Sequence, residues 1–331
     1  MKRGFLMILC LLSLTACGAK SAERKNLSFF AMDTLMDFSA YADERTLEGA
    51  RDVVMDIERR VSVTDEGSDI YKVNRDGGGS VSEETAALVD TALSLGRLTG
   101  GAFDVSIYPV VRAWGFTTGD YRVPTFDETS ALLESVDYSR VRLDGTQIAL
   151  PDGMEIDLGG IAKGYAGREA ANYLRGRGIT SALLNLGGNV QTVGSKPDGS
   201  AWRVAVQDPQ NDGYAGILEV VDKAAVTSGG YQRYFEGADG QIYWHIMDPE
   251  TGRPARNGLI SATVVADDGA LCDALSTALF VMGPEKAERF WRGRGDFEMV
   301  LITEDGEALV TSGLSYEPQE GAPYEVRILE R

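Results

Sequence analysis

The order in which helices and strands follow one another constrains the fold of this chain most. Alternating or apolar runs predict extended segments near residues 27–41, 141–150, 181–186, 202–207, 216–221, 242–247, 260–266 and 297–302. A 3.6-residue apolar period predicts helices over 46–61, 82–101, 160–177 and 270–293, and a capping box opens another at 125–128. Because strands and helices do not alternate regularly, the pattern favours an α+β fold over a doubly wound sheet.

The chain shows no internal repeat, low-complexity segment or linker after residue 26. We therefore expect a single domain over residues 27–331, built from two intimately packed lobes. Its longest C-terminal helix should break near Gly283 and Pro284. Cys272 is the only cysteine in this domain, which excludes an internal disulfide, so the fold must be held by its apolar core.

The N-terminus has the pattern of an export signal. Lys2 and Arg3 precede the apolar run "GFLMILCLLSL", which is too short to span a bilayer comfortably and ends in "LTAC". This pattern predicts a lipoprotein signal peptide over residues 1–16, a lipidated Cys17, and a polar tether that reaches residue 26. An ordinary signal peptide with an incidental cysteine is the alternative. We expect an exported protein, lipid-anchored at the outer face of the bacterial cytoplasmic membrane or in the periplasm.

The charge of the chain argues against nucleic-acid binding. Lys and Arg total 32 and Asp and Glu total 50, which gives a formal net charge of −18. Such a surface repels DNA, RNA and anionic lipid headgroups. The excess of acid is typical of a soluble surface, although a pocket for a divalent cation can lie within it.

A glycine-rich stretch, "DLGGIAKGY" at residues 157–165, follows the segment "GMEI" and opens a predicted helix. We expect "GMEI" to be a strand and Gly159 and Gly160 to form the turn. Free amides at a helix start attract phosphate, and Lys163 could add a point charge. The stretch matches neither the P-loop nor the GxGxxG pattern, so these residues alone favour a structural turn, with a phosphate site as the alternative.

A carboxylate and a hydroxyl lie one turn apart in "CDALST", residues 272–277. Asp273 and Thr277 are at positions i and i+4 of a predicted helix, hence on one face. Together they could reach a hard cation such as Mg²⁺. The alternative is an aspartate near the helix start that is merely favourable to the helix dipole.

His245 is the only histidine of the chain and lies in an apolar strand before the turn "DPETG". It is the only side chain whose ordinary pKa lies near neutrality, so it is the first candidate for a general base. A structural histidine is the alternative. Asp248 and Arg253 are interpreted as turn residues.

Two aromatic residues, Phe103 and Trp114, flank small residues and a proline in "GGAFDVSIYPVVRAWGF". They could stack on a planar ring or belong to the core, and the sequence leaves both open.

Seven segments in one order resemble the ApbE family, whose members are FAD:protein FMN transferases. They are "FFAMDT", "GGAFDVSIYPVVRAWGF", "IDLGGIAKGYA", "LLNLGGNV", "VTSGGYQRYF", "HIMDPETGRP" and "CDALSTALFVMG". The resemblance covers nearly all of residues 28–312. It implies a single α+β, T-fold-like domain.

The resemblance also implies an activity. Such enzymes cleave the diphosphate of FAD with Mg²⁺, attach FMN to a threonine hydroxyl of a target protein and release AMP. Their targets are flavin-bearing subunits of membrane redox pumps, of the Na⁺-translocating quinone reductase or Rnf type, or related exported flavoproteins.

Site residues follow from the resemblance position by position. The implied Mg²⁺ ligands are the side chains of Asp273 and Thr277 and the carbonyl of Gly160, and His245 is the implied base. The positions implied to contact FAD are Met32, Ala102, Phe103, Asp104, Asp157, Lys163, Trp244 and Ile246. Thr64 stands where relatives carry Asn or Tyr, and we expect it to line the FAD pocket near adenine.

Two other functions are compatible with the same residues. One is a Mg²⁺-dependent FAD pyrophosphatase, in which water attacks and the products are FMN and AMP. The other is a lipoprotein that binds flavin without turning it over.

The anchor can be tested directly. Cys17→Ala should leave the domain folded but release it from the membrane, because acyl chains contribute about 0.8 kcal/mol per buried CH₂. Fractionation of cells that express each variant measures this, and Cys10→Ala, within the apolar run, is the control and should stay anchored. Membrane retention of Cys17→Ala would show that another feature holds the protein.

Overall fold

The computed structural model describes residues 23–331; the predicted signal peptide and Cys17 lie outside them. The helices of this part are α1 (Glu44–Val61), α2 (Asp69–Asp76), α3 (Glu83–Leu98), α4 (Tyr108–Ala113), α5 (Phe126–Leu133), α6 (Gly159–Gly176), α7 (Gly269–Met282) and α8 (Pro284–Arg292). The strands are β1 (Arg24–Ala31), β2 (Thr34–Tyr41), β3 (Gly78–Ser80), β4 (Arg142–Asp144), β5 (Gln147–Ala149), β6 (Ala182–Leu186), β7 (Asn189–Val193), β8 (Trp202–Gln207), β9 (Tyr214–Val220), β10 (Ala224–Gly229), β11 (Tyr234–Glu236), β12 (Ile242–Trp244), β13 (Met247–Asp248), β14 (Arg253–Pro254), β15 (Leu259–Ala266), β16 (Glu298–Thr303), β17 (Glu307–Thr311), β18 (Ser315–Pro318) and β19 (Glu325–Leu329).

A nine-stranded sheet organises the domain, in the order β1-β2-β6-β7-β10-β15-β16-β17-β19. Its neighbouring strands are antiparallel except for the parallel pair β17 and β19. Helices α1, α6 and α7 share apolar cores with one face, and the three-stranded sheet β18-β9-β8 covers part of the other. This arrangement confirms the predicted α+β fold.

Two of the apolar clusters pack around the long helices of the domain, and the expected division into two lobes stays a prediction. One surrounds α1, α3 and α6, and the other surrounds α7, α8 and β16. Ala102, Leu271 and Met282 pack against both clusters, so the clusters form one folded unit. Within residues 23–331, no helix combines the length and the hydrophobicity that a bilayer span requires.

The predicted helices are present. Thr125 caps α5 by accepting a hydrogen bond from the N–H of Glu128 at 3.2 Å. The break between α7 and α8 falls at Gly283, whose φ of 75° ends one helix before Pro284 begins the next. Helix α2 is an element that the periodicity analysis missed, because it has only eight residues.

Several extended segments differ from the prediction. Residues 27–41 and 141–150 each form two strands rather than one, and the turn of the first pair lies at Met32 and Asp33, whose φ angles are 49° and 59°. Residues 24–26, predicted to be tether, begin β1, because they pair in register with residues 39–41 of β2. The predicted tether is therefore three residues too long.

The segment "GMEI" is not a strand, contrary to the prediction. Its backbone partner is a side chain: Asn74 of α2 accepts from the N–H of Ile156 and donates to its carbonyl, both at 2.8 Å. One residue later, the N–H of Asp157 donates to the carbonyl of Val105 at 2.8 Å. Backbone groups satisfied in this way need no neighbouring strand.

Helices α6 and α7 touch backbone to backbone. A Cβ atom on Gly164 would lie 2.0 Å from the carbonyl oxygen of Gly269, and one on Gly269 would lie 2.5 Å from that of Gly164. Real Cβ atoms do not approach oxygen so closely, so both positions require glycine.

Gly164→Ala should therefore lower the free energy of unfolding by about 1–3 kcal/mol or more, as overpacking does. The matched control is Gly176→Ala in the last turn of α6, where no atom lies within 4 Å of the added Cβ. That change should leave stability equal or raise it by up to about 1 kcal/mol. Urea unfolding measures both, and equal stabilities of the two variants would contradict the close contact.

Candidate functional site

The candidate site begins where α6 begins. The carboxylate of Asp157 accepts a hydrogen bond from the N–H of Gly159, the first residue of the helix, at 2.8 Å. Desolvation raises the pKa of Asp157, while that N–H and the charges of Lys163 and Arg233 oppose the rise. The glycine-rich stretch does open a helix, but Gly159 and Gly160 already belong to that helix, so the prediction that these two glycines form the turn is wrong. The stretch also gathers charged groups.

Asp273 lies in the second turn of α7 and is buried. The cap of this helix is a different residue, Asp268, which accepts from the N–H groups of Ala270 and Leu271. The interpretation of Asp273 as an aspartate that merely favours the helix start is therefore wrong.

The carboxylate of Asp273 points across to α6 and β7. One oxygen accepts from the N–H of Gly164 at 2.8 Å, and the other accepts from the side-chain amide of Asn189 at 3.1 Å. Desolvation raises the pKa of Asp273, and the charge of Lys163 and these N–H donors lower it. Each oxygen keeps lone-pair capacity for a further partner.

Thr277 and Gly160 face each other across the same helix pair. A Cβ on Gly160 would lie 3.8 Å from the hydroxyl oxygen of Thr277 and 3.1 Å from the ring of Phe103. The Thr277 hydroxyl also lies 3.3 Å from that of Ser228 in β10. The structure thus brings the predicted ligand residues Gly160, Asp273 and Thr277 to one place.

The carbonyl oxygen of Gly160 has two lone pairs, and the helical hydrogen bond from the N–H of Gly164, four residues later, would use one of them. That N–H also donates to the carboxylate of Asp273 at 2.8 Å. Carboxylate, hydroxyl and carbonyl oxygens are the ligands that Mg²⁺ prefers, so the residues fit this ion.

The described residues contain no group of three or more His, Cys, Asp or Glu that could hold a metal ion by themselves. A Mg²⁺ ion held by Gly160, Asp273 and Thr277 would therefore keep open positions. Mg²⁺ is commonly bound by one or two carboxylates together with substrate phosphates, which this donor set suits.

His245 follows directly after β12 and is half-buried. Its Nδ1 lies 3.2 Å from the carbonyl oxygen of Arg233. A carbonyl can only accept, so Nδ1 carries the hydrogen, and Nε2 of the neutral ring keeps a free lone pair. Desolvation and the charges of Lys163 and Arg233 lower the pKa of His245 to about 4. At neutral pH the ring is therefore an uncharged base.

Lys163 links the predicted residues into one neighbourhood. Its charge acts on the carboxyls of Asp157 and Asp273 and on the ring of His245. The predicted base, the predicted metal ligand Asp273, a further carboxylate and a cation are thus neighbours, a composition that suits a phosphate-bearing substrate.

Some of the residues predicted to contact FAD also have structural roles. The carboxylate of Asp104 is buried and accepts from the N–H and hydroxyl of Ser106 and from the N–H of Tyr138. Both of its oxygens are already used, so the side chain is committed to the turn. Phe103 is buried against Gly160, and its neighbour Ala102 packs between the two apolar clusters.

The aromatic residues are core residues to different degrees. Trp114 is fully buried and donates from Nε1 to the carbonyl of Gly252 at 2.9 Å, which settles its role as core. Trp244 donates to the carbonyl of Ala255 at 3.1 Å, and the guanidinium of Arg256 lies 4.3 Å from its ring centre.

Three residues that were predicted to contact FAD make local contacts of their own. Ile246 is buried in the α7 cluster. Met32, in the β1–β2 turn, donates from its N–H to the carboxylate of Glu58 at 2.6 Å. Thr64 lies in the exposed turn between α1 and α2, 3.2 Å from the hydroxyl of Ser62. Its role near adenine stays a prediction.

Three residues near the candidate site were not predicted from the sequence: Asn189, Ser228 and Arg233. The first lies in "LLNLGGNV" and the others in "VTSGGYQRYF", segments that carried the resemblance without an assigned residue. Asn189 is a polar residue at the start of the fully buried strand β7, and its burial is visible only in the structure.

Comparisons with known proteins agree on one family. A sequence model of the ApbE family matches residues 32–301. An FAD:protein FMN transferase of Vibrio cholerae is 33% identical over 299 residues, which cover 86% of this chain and 89% of that protein. One of Klebsiella pneumoniae is 34% identical over 253 residues, 74% of this chain and 78% of its own length.

Solved structures show the same fold. The ApbE protein of Thermotoga maritima superimposes with a TM-score of 0.80 at 33% identity and covers 90% of this chain and 97% of its own. The flavin transferase ApbE of Vibrio cholerae gives a TM-score of 0.77 at 29% identity, with the same coverage.

The ligand role of Asp273 predicts a specific defect. Asp273→Asn should weaken Mg²⁺ binding by roughly 10² or more, since loss of outer-shell partners alone costs 10–100-fold. Calorimetric titration with Mg²⁺ in the presence of ADP measures it. Asp268→Asn is the control, because it removes the same charge from the same helix and keeps a good cap. Equal Mg²⁺ affinity in both variants would exclude the ligand role.

Proposed function

This chain belongs to the ApbE family, and from that premise we propose that it moves FMN from FAD onto a threonine hydroxyl of a target protein, with Mg²⁺ and with release of AMP. Its relatives bear the activity of an FAD:protein FMN transferase, so the chain is an enzyme of this type. The observation that carries the finer proposal is the juxtaposition of a neutral His245 with Lys163 and the Asp273 donor set.

The proposed reaction is a single displacement at phosphorus. The threonine oxygen forms a bond to the phosphorus of the FMN half of FAD, and the bond from that phosphorus to the bridging oxygen breaks. AMP leaves with the electron pair of the broken bond. No covalent intermediate with the enzyme is needed.

The chain's own residues supply a base and positive charge. Nε2 of His245 takes the hydroxyl proton, because its lone pair is free while Nδ1 is held by the Arg233 carbonyl. The ammonium of Lys163, whose charge acts on Asp273, would also oppose the charge of an anionic substrate bound there. Mg²⁺ held by Gly160, Asp273 and Thr277 would neutralise charge on the diphosphate oxygens.

Desolvation makes these charges more effective. Asp273 is buried and Lys163 and His245 are half-buried, so water screens their interactions only in part.

The same proposal includes the residues that are expected to contact FAD. They are Met32, Thr64, Ala102, Phe103, Asp104, Asp157, Trp244 and Ile246.

The acceptor is proposed to be a flavin-bearing subunit of a membrane redox pump, of the Na⁺-translocating quinone reductase or Rnf type, or a related exported flavoprotein. The lipoprotein pattern that ends at Cys17 supports an enzyme anchored on the exported side of the membrane, where such acceptors are reached.

One incubation tests the activity. The protein is mixed with FAD, Mg²⁺ and a co-expressed candidate acceptor, and the acceptor mass and the AMP released are measured. We expect the acceptor to gain the mass of FMN and AMP to appear in equal amount. AMP without an acceptor would indicate a pyrophosphatase, and no AMP at all would indicate a flavin-binding protein.

The substitution His245→Asn distinguishes two roles of His245, a general base and a residue that binds FAD. We expect near-normal FAD affinity, because the ring holds no substrate charge, and a loss of FMN transfer by roughly 10² or more, the scale of general-base loss. Fluorescence titration with FAD and acceptor mass spectrometry measure the two quantities. A parallel fall of affinity and rate would make His245 a binding residue.

The pH profile is an independent check of the same residue. Because the folded pKa is lowered to about 4, His245 stays neutral as pH falls through 6.5 and becomes protonated only near 4. The transfer rate of the wild type should therefore show no acid limb near pH 6.5. A limb at that value would mean that the ring is not desolvated.

A further inference from the structure

The carbonyl of Arg233 accepts two hydrogen bonds from a single residue. The backbone N–H of His245 donates to it at 3.1 Å, and the ring Nδ1 lies 3.2 Å away. These bonds extend the β11–β12 ladder by one pair beyond Tyr234 and Trp244. The position of this one oxygen therefore decides the orientation of the imidazole and which nitrogen carries the hydrogen.

The side chain of Arg233 reaches the opposite wall of the histidine site. Its guanidinium donates to the carbonyl of Phe116. The ring of Phe116 packs edge-on against that of His245, with centroids 6.3 Å apart. Arg233 thus contacts both the Nδ1 side of the imidazole and the segment that covers its face.

The chain passes from packed to exposed residues just before Arg233. Gly229 and Gly230 precede it and are held by close packing, since a Cβ on Gly229 would lie 2.3 Å from the ring of Tyr231 and one on Gly230 would lie 2.8 Å from that of Trp244. Residues 232–234, by contrast, are exposed. The guanidinium bond to Phe116 adds a side-chain attachment to the backbone pairing of this exposed stretch with β12.

We propose that Arg233 is the positioning residue of His245: its carbonyl oxygen holds the ring as the Nδ1–H tautomer, and its guanidinium, bound to Phe116, keeps that oxygen and the covering ring in place. The proposal rests on the proposed function only in treating His245 as the base. Because a base must present Nε2 to the acceptor hydroxyl, losing this alignment lowers the rate of transfer rather than the affinity for FAD.

A direct contact with the diphosphate is the competing role for Arg233, because its charge also acts on Asp157. The two roles differ in what they change. A phosphate contact changes the KM for FAD, and a positioning residue changes kcat and the tautomer.

The tautomer can be read without assignment, because His245 is the only histidine of the chain. Untagged protein labelled with ¹⁵N-histidine is examined by imidazole ¹H–¹⁵N correlation, which distinguishes the two neutral tautomers. We expect Nδ1–H in the wild type. The Nε2–H form in the wild type would overturn the proposal, whether or not the protein transfers FMN.

Two substitutions test the guanidinium. Arg233→Met keeps an unbranched apolar stem but removes the donors of the side chain. It should give a mixture of tautomers and a kcat lower by between about tenfold and 10²-fold, with KM for FAD within about twofold. Arg233→Lys keeps one donor and should recover most of both properties. If Arg233→Met does not fold, Arg233→Lys alone must still retain the Nδ1–H form for the proposal to stand.

Arg253→Met is the matched control, since it removes an exposed guanidinium from the neighbouring β14. It should leave tautomer and kcat unchanged. A raised KM for FAD with normal kcat in Arg233→Met would make Arg233 a phosphate contact and overturn the proposal. An unchanged tautomer and kcat in that variant would do the same. Absence of FMN transfer by the wild type would instead refute the proposed function.

Discussion

The contact between the backbones of Gly164 in α6 and Gly269 in α7 is the constraint on which the rest of the site depends. It brings the helices so close that the N–H of Gly164 donates to the carboxylate of Asp273 rather than only along its own helix. One turn further along, the same approach sets Thr277 opposite Gly160. Both contacts depend on glycine, because any side chain on Gly164 would push the two helices apart.

A single cation then acts on groups from distant parts of the chain. A positive charge lowers the pKa of an acid and of a base alike, so Lys163 favours the ionised form of Asp157 and Asp273 and the neutral form of His245. Desolvation favours the neutral form of all three. Cation and desolvation therefore act together on the histidine, which must be neutral, and against each other on the carboxylates, which must be charged.

Much of the fold could be predicted from the sequence. Long amphipathic helices such as α1 and α3 repeat apolar residues with the helical period, and a glycine followed by a proline marks the break at Gly283. Short elements could not be predicted in this way. Helix α2 has little room for a period, and the turn at Met32 has no glycine to mark it. The segment "GMEI" looked like a strand because its residues suit one, yet the side chain of Asn74 took the place of a neighbouring strand. Local preference predicts that backbone groups will be satisfied, but not by which partner.

The candidate site, like the fold, could be predicted from the sequence only in part. The sequence by itself determined which chemical groups are available: one histidine, an aspartate and a threonine one helical turn apart, and a glycine-rich helix start with a lysine. It also determined the family, through seven segments in order. Only the tertiary structure decided that these groups meet, that Asp273 is bound by Gly164 and Asn189, and that Arg233 holds Nδ1 of His245. The reason is physical: helix period and residue type act over a few neighbouring residues, whereas hydrogen bonds and charges between residues 12 to 109 positions apart exist only once the sheet has brought their strands and helices together.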